Sequence, residues 1–273
     1  MTVALQVATW NIFGGRTWDG ARVDLDLTLA ILRRLDADVV ALQEVDRDLP
    51  RSGGVDQARV IAEALGMTYR FAPALLGTPG SQSGPEDQGV PRGDGVWPVD
   101  PGVDDPGGPA YGIALLSRLP LGQVEIVRLP RRGHEEPRVA QVAEVAIGGG
   151  PLTVTGTHLS FVPPSGVAQL RALLRRPGGR GGRRLLLGDL NLGWPLVRVV
   201  ALPGWRPLVR GGTFRNRPPG SLRPRVQLDH VLAAGRGGLS LREPEPPLAR
   251  YARVVSGPAS DHLAVRVELD WPD

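Results

Sequence analysis

The segment LLLGDLNLGW, residues 185–194, runs an apolar stretch straight into Asp189, with Asn191 two residues later. An apolar run too short for a helix and bounded by Gly and Asp reads as a buried strand. The same grammar recurs along the chain. VALQVATWN closes on Asn11, DVVALQEV carries Glu44 at its end, GTHLS follows a strand with His158, VQLDHVLA holds Asp229, and SDHLAV opens on Asp261 and His262. Asn occurs only at positions 11, 191 and 216, and His only four times, so polar residues at strand ends look placed. Open α/β folds build their ligand sites where strands end, which brings such distant residues together.

The elements between these motifs fit an α/β class. Strands are expected at 3–12, 38–45 and 68–72, with helices at 25–35, after Asp24 as N-cap, and at 57–65, stopped by Gly66. Residues 77–109 are dominated by Gly, Pro, Asp and Ser, and form a long loop inserted into one domain spanning 1–273, with an interdomain linker as the alternative. Beyond it, strands at 113–117, 123–129, 138–147 and 152–159 follow one another closely, as in an antiparallel meander. A helix at 167–176 and strands at 183–190, 226–233 and 262–269 complete the chain.

The pI of about 10.4 suggests a nucleic-acid partner until its origin is examined. No Lys or Cys occurs and Tyr is scarce, so little titrates before high pH, and the formal net charge is only +4. That charge permits an anionic substrate without demanding one. Zero Cys excludes disulfides, Cys-ligated zinc and thiol catalysis. Neither a signal peptide nor a membrane span is visible, so a cytoplasmic protein with no obligate protein partner is expected.

Several carboxylates beside an Asn amide make an oxygen-rich site suited to a hard cation such as Mg²⁺ or Mn²⁺, while His keeps a softer metal open. His262 with a carboxylate forms a dyad in which the acid fixes the imidazole tautomer. A further Asp holds a water, and Asn and His donate to oxygens that gain charge. Metal, charge donors and activated water together describe phosphoester hydrolysis.

TWN at 9–11, LQEV at 42–45, YGIALLSRLPL at 111–121, EPRVAQVAEV at 136–145, GTHLS, GDLN, LDHVL and SDHLAV, in this order, resemble the endonuclease/exonuclease/phosphatase superfamily with its deoxyribonuclease I-like fold. The resemblance implies a four-layer α/β/β/α sandwich of two packed mixed β-sheets, with the active site where the strands of both sheets end. It implies Glu44 as main metal ligand, Asn11 beside it and Asp261 touching the metal region. Asp189 would orient or deprotonate the attacking water, and Asn191 would contact a phosphate oxygen or align Asp189. His262, oriented by Asp229, would polarise the phosphate, His158 would sit by the scissile group, and Arg138 would help hold the cleft. Ile113 stands where relatives often carry Asn, and no DNA-recognition helix is identifiable.

The expected function is a divalent-metal-dependent phosphodiesterase acting on nucleic acid or on a small-molecule or lipid-headgroup diester. A phosphomonoesterase for sugar or inositol phosphates is the alternative, and a catalytically silent phosphate-binding module is the reading from another class. Its discriminating feature is the site, since a degenerate member would have lost Glu44, Asp189 or His262. Among residues outside this set, His230 reads as packed or hydrogen-bonded and His134 as exposed in a turn. Trp10, Trp18 and Trp194 read as core or rim. The arginines of 170–184 read as a solvated helix end, whereas those of 206–225 lie nearer the expected cleft.

Overall fold

Two sheets form because two sets of strands alternate between an inner and an outer apolar face. In the computed structural model, the described residues are 2–79, 99, 102–133, 135–147, 150–178, 182–201, 203–215, 226–235, 248–255 and 258–272. Strand β1 (Thr2–Asn11) pairs parallel with β2 (Val39–Arg47) and antiparallel with β12 (Ala264–Pro272). With β3 (Thr68–Leu76), β4 (Ala110–Ser117) and β11 (Leu248–Val255), the first sheet runs β11-β12-β1-β2-β4-β3. The second sheet contains β5 (Leu121–Arg128), β6 (Val139–Ile147), β7 (Gly150–His158), β8 (Arg183–Asp189), β9 (Arg206–Pro207) and β10 (Asp229–Ala234). Its order is β5-β6-β7-β8-β10-β9, with β7 and β8 parallel.

Side-chain alternation stacks these sheets into layers. Val7, Ala41 and Leu115 of the first sheet share an apolar cluster with Val154, Leu185 and Leu187 of the second. Their strand neighbours Ala8, Trp10, Val40 and Leu42 face outward, against helices α1 (Leu25–Leu35) and α2 (Gln57–Leu65). On the other side, Ala140, Leu186 and Leu232 meet α3 (Pro163–Arg175) and α4 (Trp194–Val200). The order is α/β/β/α, as the resemblance implies. Among the described residues no helix is long and apolar enough to cross a membrane.

Both helices of the first layer are closed by local chemistry. Asp24 accepts from Leu27 N at 3.1 Å and Asp56 from Arg59 N at 3.0 Å, each satisfying an amide that the first helical turn leaves free. Gly66 ends α2 with φ 64°, a left-handed conformation that glycine adopts without strain.

The structure corrects several expectations. The strand run after residue 110 is not one meander: β4 is buried along its whole length within the first sheet, and the chain crosses between sheets before β5. Only β5-β6-β7 form the antiparallel series. Helix α3 starts at Pro163 rather than 167, because prolines in the first turn lack only amide hydrogens that would go unpaired anyway. The last two expected strands begin at Asp229 and Ala264, and β9, β11 and α4 were not anticipated.

Most of the expected loop 77–109, namely 80–98, 100 and 101, lies outside the described residues, as do His134, Asn216 and the arginines of 217–225. The loop's ends meet: Gly77 N donates to Pro109 O at 3.0 Å. Arg47 holds the returning limb through Asp105 at 2.6 Å and Gly108 O at 2.9 Å.

Candidate active site

The parallel pairs β1/β2 and β7/β8 bring four C-terminal strand ends to one edge, carrying Asn11, Glu44, His158 and Asp189. Antiparallel β10 and β12 deliver their N-terminal ends to the same place. Asp229 stands opposite Asp189, and Asp189 opposite His158, in the ladders of the second sheet. A cleft of about 400 Å³ opens there, lined among others by Glu44, Arg138, His158, Asp189, Asn191, Asp261 and His262.

Glu44 reaches this cleft because β2 breaks its ladder. The register against β4 shifts between Gln43 and Val45, and Glu44 adopts φ 53°. Such a bulge re-aims one side chain out of the pleat. Gln43 stays buried and bonds Thr9 at 3.1 Å. Gly112, facing the bulge, lets β3 come close: a Cβ there would stand 2.1 Å from Ala72 O. Among the described residues, four of the six non-glycine residues with positive φ lie at the site, Phe13, Glu44, Asn191 and Ser260. Backbone in this sparsely populated region persists where surrounding structure enforces it.

Asn11 ties two carboxylates together. Its amide donates to Glu44 Oε1 at 2.9 Å and to Asp189 Oδ2 at 3.0 Å, while its Oδ1 accepts from Phe13 N at 3.0 Å. Asn191 N donates to Asp189 Oδ1 at 2.9 Å, so Asp189 is held from two sides. His262 Nδ1 lies 2.8 Å from Asp229 Oδ2, and its Nε2 lies 3.6 Å from Asp189 Oδ2. Ser260 straps this turn to β1, donating to Asn11 O at 2.6 Å and accepting from His262 N at 3.0 Å. Asp261 is half-buried, and its carbonyl accepts from Arg215 N at 2.8 Å.

His158 is fixed in one tautomer. Arg138 Nη1 approaches its Nδ1 at 2.8 Å, and a guanidinium can only donate, so the imidazole proton sits on Nε2. That nitrogen faces Asp189 Oδ2 at 3.5 Å, while Asn191 Nδ2, itself a donor, lies 3.2 Å away and donates to Leu159 O at 2.9 Å. Arg138 also pairs with Glu136 at 3.2 Å.

Burial and charge set the protonation states. Burial pushes Glu44 up to about 7, helped by the charges of Asp261 and Asp189. It likewise lifts Asp189 to about 6, against the opposing pull of His262. Burial opposes charge on His262, yet Asp229 and Asp189 raise it to about 10. Burial and the Arg138 guanidinium hold His158 well below its ordinary value. One imidazole is therefore a cation and the other a neutral donor at pH 7.

The donor set fits a divalent cation. Glu44, Asp189 and Asp261 bring three carboxylates to the cleft, and Asp229 Oδ1 is buried without a hydrogen-bond partner. Asp189, Asp229 and His262 form a candidate metal group, with ligand atoms within 4.8 Å of one another. A protonated imidazole has no lone pair to offer, so this group first has to lose a proton, whereas Glu44 and Asp261 offer oxygen alone, with the Asn11 amide aligning Glu44.

Further residues, absent from the sequence-based site, also line the cleft. The Phe214 ring centroid lies 4.9 Å from that of His262. Arg51 forms a two-pronged pair with Asp46, at 2.8 and 2.6 Å. Phe13, Tyr111 and Phe161 contribute rings. Only Tyr111 lay in a recognised motif; the others sit in turns without a distinguishing pattern. His230 is buried, with Nε2 2.9 Å from Leu192 O, which fits its expected packing role. Trp10 is core, whereas Trp194 lies under Arg210 at 4.7 Å and Arg198 at 5.5 Å.

The sequence pattern of the Endonuclease/Exonuclease/phosphatase family matches residues 8–262. No curated protein sequence matches the chain. Among solved structures, an endonuclease/exonuclease/phosphatase from Beutenbergia cavernae DSM 12333 is 25% identical with a TM-score of 0.69, over 98% of this chain and 72% of that one. A family protein from Leptotrichia buccalis C-1013-b is 14% identical with a TM-score of 0.66, over 98% and 100%. D. rerio TDP2, complexed with a single strand DNA product, is 16% identical with a TM-score of 0.62, over 97% and 98%. The last two show likeness of fold alone. With the fold, the strand-end site and the family pattern over 8–262 in agreement, the chain belongs to the endonuclease/exonuclease/phosphatase family of phosphoester hydrolases.

Proposed function

We propose that the protein is a phosphodiesterase dependent on Mg²⁺ or Mn²⁺, working as one domain. The carrying observation is the convergence of Glu44, Asp189, a cationic His262 and a neutral His158 in one cleft. A degenerate binding module needs none of these groups together. Glu44 and Asp261 would hold the cation, an oxygen donor set that suits a hard metal, with Asn11 beside Glu44 positioning it. The bound ion supplies charge stabilisation at the phosphoryl oxygens.

The chain's own residues supply the rest. Asp189, fixed by Asn11 and Asn191, accepts the proton of the attacking water as the new P–O bond forms and the leaving-group bond breaks in line. His262, held by Asp229, offers its Nε2–H to a phosphoryl oxygen that gains charge. His158 offers a second N–H from the side of Asn191. Arg138 and Arg51 already carry carboxylate partners, which leaves His262 and Arg16 as the other cationic side chains lining the cleft. The singly charged diester is proposed ahead of sugar or inositol monophosphates. The DNA product in the D. rerio TDP2 structure supports nucleic acid as the first substrate to try.

The test is hydrolysis of bis-p-nitrophenyl phosphate against p-nitrophenyl phosphate, with Mg²⁺, Mn²⁺ or EDTA. Diester preference abolished by EDTA and by Asp189→Ala is expected, and His262→Ala is expected to lose at least about 10²-fold in rate. Unchanged turnover in Asp189→Ala overturns the mechanism.

A further inference from the structure

Phenylalanine is scarce in this chain: Phe13, Phe71, Phe161 and Phe214 are all there are. Three of the four line the catalytic cleft. Phe71 alone joins a core cluster, and the cores otherwise use mainly Leu, Val, Ala and Ile. Phe13 lies under the Arg16 guanidinium at 5.4 Å, and Phe214 rests against His262. Phe161 differs, being 65% exposed, with no ring or guanidinium partner among the described residues.

The loop that presents Phe161 is anchored on both sides. Leu159 N donates to Asp189 O at 2.9 Å, Ser160 N to Gln169 Oε1 at 2.8 Å, and Val162 N to Ser160 Oγ at 3.2 Å. The Ser160 hydroxyl in turn donates to Glu135 at 3.1 Å. An apolar ring is thus held in water three residues past His158. A preset ring of this kind spends little ordering entropy when a flat partner covers it.

We propose that Phe161 determines specificity by stacking on a planar ring next to the scissile phosphate, so that the substrate is a nucleotide diester with an unpaired base. This rests on the phosphodiesterase reading above. Every base has a π-face, whereas a polyhydroxylated ring needs hydrogen-bond partners that a phenyl group lacks. A lipid surface would call for several apolar side chains grouped around the cleft. Among the described residues, the other exposed large hydrophobics, Val103, Leu196, Val199 and Val226, are outside its lining.

The test compares binding of fluorescein-labelled octathymidylate with that of an abasic octamer of equal charge, in EDTA so that turnover is silent. Wild type prefers the base-bearing octamer by roughly 10-fold, Phe161→Ala loses that preference, and Phe161→Trp restores it. With metal, Phe161→Ala raises KM for octathymidylate roughly 10-fold while kcat changes far less. Equal affinity of wild type for both octamers, or an unaltered preference in Phe161→Ala, overturns the proposal. So does Phe161-dependent binding to phosphatidylserine vesicles in place of the octamer. Metal-dependent hydrolysis of methyl p-nitrophenyl phosphate reports separately on the phosphodiesterase reading: its absence overturns that reading, while the EDTA binding comparison still decides whether Phe161 stacks.

Discussion

Glu44 shows how one residue's setting links metal, proton and stability. Its folded pKa of about 7 lies above the ordinary 4.5, so the buried carboxylate opposes folding once it ionises. The sign follows directly: the penalty is absent below pH 4.5 and complete above pH 7. Metal-free Glu44→Gln is therefore expected to be more stable than wild type at pH 8, by on the order of 1–2 kcal/mol after allowance for its contact with solvent, and near parity at pH 5. Thermal melts in EDTA at the two pH values read this difference. The same proton competes with the cation, so Mn²⁺ affinity measured by calorimetry should weaken about 10-fold per pH unit below 7 and level off above it. Affinity that stays flat from pH 5 to 8 would remove Glu44 from the metal site. The sequence displayed Glu44 in LQEV, but its pKa arises first from burial in the folded cleft and then from charges up to 217 positions away, Asp261 and Asp189 among them, which no local pattern encodes.

At the scale of elements, the bulge in β2 decides where the site lies. It stands beside the Val45–Gly112 pair, and Gly112 is also where β4 packs closely on β3. Gly112→Ala would press a methyl group into Ala72 O and is expected to cost at least about 3 kcal/mol, with activity lost alongside stability because Glu44 depends on the same register. A chemical-denaturation midpoint close to wild type would refute this. The helices are a contrast, since α1 was legible to the residue from its capping Asp24 and leucine spacing, and α2 from its stop at Gly66. Helix α3 was legible only in part, because Pro163 and Pro164 look like breakers until their place in the first turn is known.

For the whole molecule, the interface between the sheets couples stability to the site. Glu44 and Asn11 hang from the first sheet, and His158, Asp189 and Asp229 from the second, so the shared apolar cluster, with the Asn11–Asp189 and His262–Asp229 contacts above it, fixes their spacing. Leu187→Ala in that cluster is expected to cost about 2–5 kcal/mol and to lower kcat more than it raises KM, read by denaturation and by diester hydrolysis. The sequence by itself determined the α/β class, the strands that end in polar residues and the residue types of the site, because periodicity and strand-end chemistry are local. Tertiary structure alone decided that β4 and β5 belong to different sheets, that Asn11 bridges two carboxylates, that Arg138 fixes the tautomer of His158, and that Phe161 stands open in the cleft. Each of these depends on atoms brought together from distant positions, and their charge and desolvation act through space rather than along the chain.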